Sequence, residues 1–234
     1  MYDIHTHLLF GVDDGAKTLE ESLDMLIDAK EQGVKGMILT PHYRRGMFAY
    51  PKEQIEENFI ELKVKAKNIG IELYLGTEYH VNSMMMEHIK EGRCHTMADS
   101  CYVLAEYKPE TEFSYIKASL QDLLFHGYIP IVAHVERYAC MQDIKRVALL
   151  KEIGVMIQVN ADAVIGKDGF KVKGYTKKLL KNGYVDFVGS DSHGIRERVS
   201  NMEKCRDYLY KKYAESYVDQ ILEINPRKII ENEE

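Results

Sequence analysis

No apolar run in the sequence is long enough to span a bilayer, and no charged, apolar and small-residue series of the signal-peptide kind stands near its start. These absences argue against a membrane-spanning helix. They lead us to expect a soluble, cytoplasmic protein without membrane insertion. Cysteine is sparse: Cys94, Cys101, Cys140 and Cys205 fall at no metal-ribbon or C-x-x-C spacing, which reads as reduced thiols. Positive charge is in deficit, with a net charge of −6, and this disfavours nucleic acid as the main partner. No Gly/Ser/Pro-rich linker or low-complexity stretch divides the 234 residues, a length that one core can serve. We therefore expect a single domain over 1–234.

What is present alternates. Apolar positions Leu19, Leu23, Leu26 and Ile27 share one helical face over 18–32, with Thr18 and Glu21 as a capping box and Gly33 as the stop. A buried strand over 37–40 runs into Pro41-His42, and a helix over 52–68 closes at Gly70. Strands over 71–77 and 102–105 end in Glu78 and Glu106, with a helix over 82–91 between them. A helix over 112–126 stops at Gly127, the strand 129–133 ends in His134, and a helix over 143–152 precedes the strand 155–159. The last strand, 185–190, ends in Asp191-Ser192-His193, and helices follow over 201–212 and 215–223, then a short cap opened by Asn225 and Pro226. With the first strand, which carries His5 and His7, this makes seven strands alternating with helical sequence. Such alternation implies a mostly parallel sheet with right-handed crossovers, and seven units suit a closed or nearly closed barrel.

The chemistry-bearing residues collect at one end of that barrel. His5 and His7, one residue apart, project to the same side of a strand. His42, Glu78, Glu106, His134, Asp191 and His193 all sit at or just past the C-terminal end of an expected strand, and those ends converge on one mouth. Asp14, from the Val12-Asp13-Asp14-Gly15 loop, completes a set of five His, two Asp and two Glu. So many ionisable groups in one cavity would cost several kcal/mol per ion, roughly, unless divalent metal neutralised them. The set exceeds one four-coordinate zinc and fits two or three ions, with Glu78 as a bridge. Nitrogen and oxygen donors without thiolate suit Mn2+ first, with Fe or Zn as alternatives.

A cluster of that kind makes hydroxide from water near neutral pH, and phosphoester hydrolysis is its natural reaction. Arg137, three residues past His134, and Arg196 or Arg198, just past His193, are placed to bind a phosphoryl group. The Tyr43-Arg44-Arg45-Gly46-Met47-Phe48 loop offers Arg44 and Arg45 with aromatics for a phosphorylated aromatic substrate; its blander reading is a solvated loop with one buried Phe. Cys140 and Arg146 match the C-x5-R spacing of cysteine-dependent phosphatases, but Met, Gln, Asp, Ile and Lys between them are not the small residues that a phosphate-cradling loop needs. Cys140 reads as structural. His80, His88, His95 and His126 read as ordinary histidines, with His80 able to line the cavity.

The series Asp3-Ile4-His5-Thr6-His7, Val12-Asp13-Asp14-Gly15, Thr40-Pro41-His42, Gly76-Thr77-Glu78, Ala133-His134-Val135-Glu136-Arg137-Tyr138, Ser190-Asp191-Ser192-His193 and Asn225-Pro226-Arg227 resembles the signatures of the polymerase and histidinol phosphatase (PHP) superfamily. More narrowly, the chain is similar to the metal-dependent protein-tyrosine phosphatases encoded with bacterial capsule and exopolysaccharide genes. The resemblance implies a distorted (β/α)7 TIM-like barrel of PHP type and a trinuclear site usually assigned manganese. It further implies a phosphotyrosine protein as substrate, a tyrosine autokinase controlling polysaccharide assembly. Carried over by position, the metal ligands would be His5, His7, Asp14, His42, Glu78, Glu106, His134, Asp191 and His193, and Arg137 and Arg198 would hold phosphate. Residues 194–197 depart from the family pattern, so Arg196 remains a candidate beside Arg198. The mechanism expected is attack of a metal-bridging hydroxide on phosphotyrosine, with a cluster histidine such as His42 or a metal-linked water returning a proton to the phenolate. The rival readings are a phosphatase of the same fold acting on a small ester such as histidinol phosphate, and a catalytically silent, metal-stabilised docking module.

Overall fold

The computed structural model describes residues 1–48 and 50–232. The last two residues of the expected domain lie outside that range. All sheet pairings are parallel. One three-stranded sheet joins β1 (Tyr2–Thr6), β2 (Gly36–Leu39) and β4 (Glu72–Leu75) in the order β1-β2-β4. A six-stranded sheet takes β3 (His42–Tyr43), β5 (Glu78–His80), β6 (Tyr102–Glu106), β7 (Ile129–Val132), β8 (Met156–Asn160) and β9 (Phe187–Gly189) in that order.

The two sheets are one curled wall. The second expected strand breaks after β2 and resumes as β3, because Pro41 has no N–H to give to a ladder. The third breaks at Gly76-Thr77 between β4 and β5; a Cβ on Gly76 would come within 2.9 Å of Met97 Sδ and 3.0 Å of Ile38 Cγ2. His42 and Glu78 therefore open second short strands rather than trailing the first. The wall closes where Asp191 N–H donates to the His5 carbonyl at 2.8 Å and His7 N–H to the Ser192 carbonyl at 2.9 Å. The result is the seven-segment barrel that the alternation suited, distorted as the resemblance implied.

Helices clothe the outside. They are α1 (Leu19–Glu31), α2 (Lys52–Ile69), α3 (Met85–Lys90), α4 (Phe113–Phe125), α5 (Ile144–Glu152), α6 (Ala161–Ile165), α7 (Phe170–Lys181), α8 (Met202–Lys212), α9 (Glu215–Asp219) and α10 (Asn225–Glu231). The expected caps form: Thr18 Oγ1 accepts from Glu21 N–H, and Gly70 closes α2 in the left-handed conformation that glycine adopts without penalty. Sequence reasoning missed α6 and α7. The stretch after β8 is lysine-rich, with Gly174 in its middle, and only Tyr175, Thr176, Leu179 and Leu180 turn inward. Helix α3 is shorter than the expected 82–91, since Asn82 Oδ1 accepts Met84 N–H in a turn ahead of it. Beyond α9 the chain continues through a π-helical turn, Gln220–Ile224, straight into α10, where Pro226 withholds an N–H.

Inside the barrel, Ile4, Ile38, Leu104, Ile131 and Phe187 pack with Tyr102, Met97 and Ile229 of α10 into an apolar plug. The β1–β2 ladder shifts register between Asp3 and Thr6. Within that stretch Ile4 joins the plug while His5, its neighbour, belongs to the cluster above. The Asn225-Pro226-Arg227 motif belongs to α10 beneath the plug, where Asn225 Nδ2 donates to the Asp186 carbonyl.

Candidate metal centre

Above the plug all nine expected ligand side chains converge. Four interlocking groups have donor atoms within 4.8 Å of one another: His7, Asp14, His42 and His193; His5, Glu78 and His134; His5, His7 and Asp191; and His42, Glu78 and Glu106. Glu78 is the hub. Its Oε2 lies 3.4 Å from His5 Nε2, 3.3 Å from His7 Nε2 and 2.9 Å from His42 Nδ1, while Oε1 meets His134 Nε2 at 2.8 Å. Asp191 Oδ1 approaches His5 Nε2 at 3.7 Å and His7 Nε2 at 3.6 Å, and Asp14 Oδ1 stands 3.4 Å from both His42 Nε2 and His193 Nε2.

The local backbone is bent to bring these groups in. His134 and Asp191 occupy the left-handed region at φ +31° and +51°, conformations that non-glycine residues hold only where the surroundings impose them. In the Asp13-Asp14-Gly15 loop, a Cβ on Gly15 would sit 1.8 Å from the His7 carbonyl oxygen, so only glycine fits. A Cβ on Gly189 would lie 2.7 Å from that of His5, which makes this β9 glycine the space into which His5 fits.

A ring of polar residues that sequence reasoning did not single out supports the cluster. Asp13 Oδ2 lies 2.8 Å from His7 Nδ1 and accepts His42 N–H, while its Oδ1 accepts Gly15 N–H. Gln158 Oε1 accepts His134 N–H and faces His5 Nδ1 at 3.3 Å. Gln158 Nε2 donates to Asn160 Oδ1, and Asn160 Nδ2 donates to Asp191 Oδ2. Asp13 stood inside a recognised motif; Gln158 and Asn160, inward-facing polar residues on a strand that is otherwise apolar, were the available signal. His80 is less ordinary than expected, since its Nδ1 meets Glu106 Oε2 at 3.0 Å. The others are structural as read: His88 bonds Tyr79 Oη, and His95 bonds Tyr50 Oη and Glu56.

Electrostatically the cluster is self-charged. Burial opposes ionisation throughout, yet Glu78 raises His42 to about 11, Asp13 raises His7 to about 9, and the histidines hold the Glu78 carboxyl well below its ordinary range. His193, buried and beside His7, is pushed down to about 4. Three buried atoms of the cluster, His42 Nδ1, Glu78 Oε2 and His193 Nε2, have no hydrogen-bond partner. Buried polar atoms left open in a set of imidazoles and carboxylates are what divalent metal would satisfy, so the residues fit the group.

The arginines sort by distance. Arg137 Nη2 lies 2.7 Å from Asp191 Oδ2, and Arg198 Nη2 lies 3.1 Å from Asp191 Oδ1, with its Nη1 at 3.3 Å from Asp14 Oδ2. Both are half exposed and bracket the same carboxylate. Arg196 instead lines the wall of a cavity of about 570 Å³ that opens beside Asp14, His193 and Arg198. Arg44 is half-buried and Arg45 exposed on the rim, where Phe48 of the same loop stacks on His42 with ring centroids 5.0 Å apart and planes 6° from parallel. Cys140 does not form a phosphate loop: Arg146 Nη1 donates to its backbone carbonyl, and burial raises the thiol above its ordinary range.

Known proteins resemble this chain in sequence and fold. A tyrosine-protein phosphatase CpsB of Streptococcus pneumoniae is 34% identical over 238 residues, covering 98% of each chain. A putative tyrosine-protein phosphatase CapC of Staphylococcus aureus is 31% identical over 92% of this chain and 86% of its own. A solved structure from work on YwqE of Bacillus subtilis and CpsB of S. pneumoniae, described as unique metal-dependent tyrosine phosphatases, superposes with a TM-score of 0.92 at 25% identity, covering 100% of this chain and 96% of that one. The model of the capsular polysaccharide synthesis family CpsB/CapC matches residues 1–231. The chain belongs to the CpsB/CapC family.

Proposed function

We propose that this single-domain chain is a metal-dependent protein-tyrosine phosphatase. The observation that carries the reading is the convergence of the nine ligand side chains with Arg137 and Arg198 on either oxygen of Asp191. His5, His7, Asp14, His42, Glu78, Glu106, His134, Asp191 and His193 would hold two or three divalent ions, with Mn2+ the best match to their donors. When bound, such ions lower the pKa of water and neutralise phosphoryl charge.

The chain's own residues supply the rest. Arg137 and Arg198 each keep N–H donors beyond those spent on Asp191, and these face a phosphoryl group entering the mouth. As negative charge grows on the phosphoryl oxygens, both guanidinium groups strengthen their hold, which is where differential stabilisation arises. Asp13 and Gln158 keep the imidazoles oriented. Phe48, lying flat on His42, offers an aromatic face at the rim, while Arg44, Arg45 and Arg196 are charges for the surrounding phosphoprotein. A phenolate leaving group, with a pKa of about 10, needs little proton donation. The family's link to capsular polysaccharide synthesis supports a cytoplasmic tyrosine autokinase as the phosphoprotein.

Hydrolysis of a tyrosine-phosphorylated peptide in competition with histidinol phosphate tests the assignment. Preference for the peptide is expected. Release of phosphate from the small ester alone would keep the chemistry and overturn the substrate.

A further inference from the structure

Helix α7 has one face of a single charge sign. Lys171, Lys177, Lys178 and Lys181 are all exposed, and with Phe170 and Gly174 they recur at helical spacing along one side. Tyr175, Thr176, Leu179 and Leu180 form the opposite, buried side. Among the described residues none of those four ammonium groups has an ion pair or hydrogen bond. The helix contains no Asp or Glu, whereas α1, α2, α4, α5 and α8 all do. A solvated helix face ordinarily interleaves both signs, and the chain as a whole carries −6, so about three helical turns without a carboxylate stand out against it.

Phe170 adds an independent observation. It is 94% exposed, the most exposed large apolar side chain among the described residues, and it sits at the start of the lysine face. The surface is open at its glycines: a Cβ built on Gly169, Gly174 or Gly183 meets no atom within 4 Å. An exposed surface of point-charge lysines, without the planar guanidinium forks that read individual carboxylates or phosphates, suits a broad anionic sheet better than a bound peptide. An aromatic ring beside such lysines is the usual companion of headgroup-level binding.

We propose that the α7 face adsorbs the protein to an anionic membrane surface, with the lysines at the headgroups and Phe170 entering the interface. Asp168, two residues before Phe170, lines one small cavity with Arg137, Asp191 and Arg198, so the adsorbed end of α7 lies next to the barrel mouth. Surface adsorption needs no inserted segment, and no helix of the described residues is long and apolar enough to cross a membrane.

The test is co-sedimentation of the full chain with phosphatidylcholine vesicles, with and without about 30% phosphatidylglycerol, at low salt and at about 0.5 M salt, where screening is strong. Binding to the anionic vesicles alone is expected. At about fivefold per lysine, the combined Lys171→Gln, Lys177→Gln and Lys178→Gln variant should lose about a hundredfold in binding. Phe170→Ser should remove the part that survives high salt. Hydrolysis of a soluble aryl phosphate should be unchanged in both variants. Equal binding to neutral vesicles, no binding, or binding indifferent to the lysine substitutions would overturn the proposal. So would a lysine variant that raises KM for an acidic phosphopeptide without lipid while vesicle binding stays intact, since the face would then belong to the substrate protein.

Discussion

Asp13→Asn preserves shape and removes one acceptor, and it tests whether the cluster is held from outside. Asp13 is a buried carboxylate that uses both oxygens: Oδ1 takes Gly15 N–H at 2.8 Å, and Oδ2 takes His42 N–H at 3.0 Å and His7 Nδ1–H at 2.8 Å. An amide has one oxygen. If its NH2 replaces Oδ2, His7 must move its proton to Nε2, the nitrogen that faces Glu78 and Asp191. If the NH2 replaces Oδ1 instead, it opposes Gly15 N–H in the loop that carries Asp14. Either arrangement leaves a buried donor unpaired, at a cost of about 1–3 kcal/mol. That range matches the 10–100-fold loss of metal affinity that typically follows removal of a carboxylate supporting a ligating histidine. Metal titration of stripped protein, followed by calorimetry, should show Mn2+ binding weakened about 10–100-fold, with peptide hydrolysis partly restored by excess metal. Metal affinity and hydrolysis both within about twofold of the unaltered protein would refute the reasoning, since that is well inside the expected loss.

Arg137→Ala should lower kcat/KM for a phosphotyrosine peptide about 100–1000-fold, as removal of a donor to developing negative charge does elsewhere. Arg196→Ala should cost less than about tenfold, a cavity-wall charge being worth little in water; similar losses in the two would reassign the phosphate contact. Cys140→Ser should leave hydrolysis unchanged, and thiol alkylation should likewise fail to inhibit; loss of activity with either would restore a cysteine mechanism. Glu223 pairs with Lys35 at 2.6 Å and the Met1 amino group at 2.9 Å, and although burial opposes it, these cations hold its carboxyl below the ordinary glutamate range. Its contribution is present above the unfolded glutamate pKa and lost as pH falls through the lower folded value. Melting temperatures of the unaltered protein and Glu223→Gln should therefore differ near neutral pH and converge in acid; a constant difference would contradict the assignment.

The ligand set was legible because catalysis in a parallel barrel places polar residues at strand ends, where they interrupt apolar runs. His134 after 129–133 and Asp191 after 185–190 are visible in this way, and the structure carries both to the cluster. The bends that aim them were not legible, since nothing local forces His134 or Asp191 to positive φ. Their supports were hidden for a related reason. Gln158 and His5 are 153 residues apart and meet only through barrel closure, so Gln158 in isolation is one more polar residue in a strand. The strand breaks at Pro41 and Gly76 had a readable cause in Pro41, but the sequence does not show that a chain resumes pairing two residues later. Helix α7 escaped because its exposed face is nearly all lysine and its apolar residues are few, a pattern that resembles a loop until Leu179 and Leu180 are seen to pack inward.

The central claim is that the cluster of His5, His7, Asp14, His42, Glu78, Glu106, His134, Asp191 and His193 is a metal centre that hydrolyses phosphotyrosine. The most direct measurement is phosphate release from a tyrosine-phosphorylated peptide by chelator-stripped protein, before and after Mn2+ is restored. The account predicts no release from the stripped protein and recovery on adding metal. Full activity in the stripped protein would contradict it.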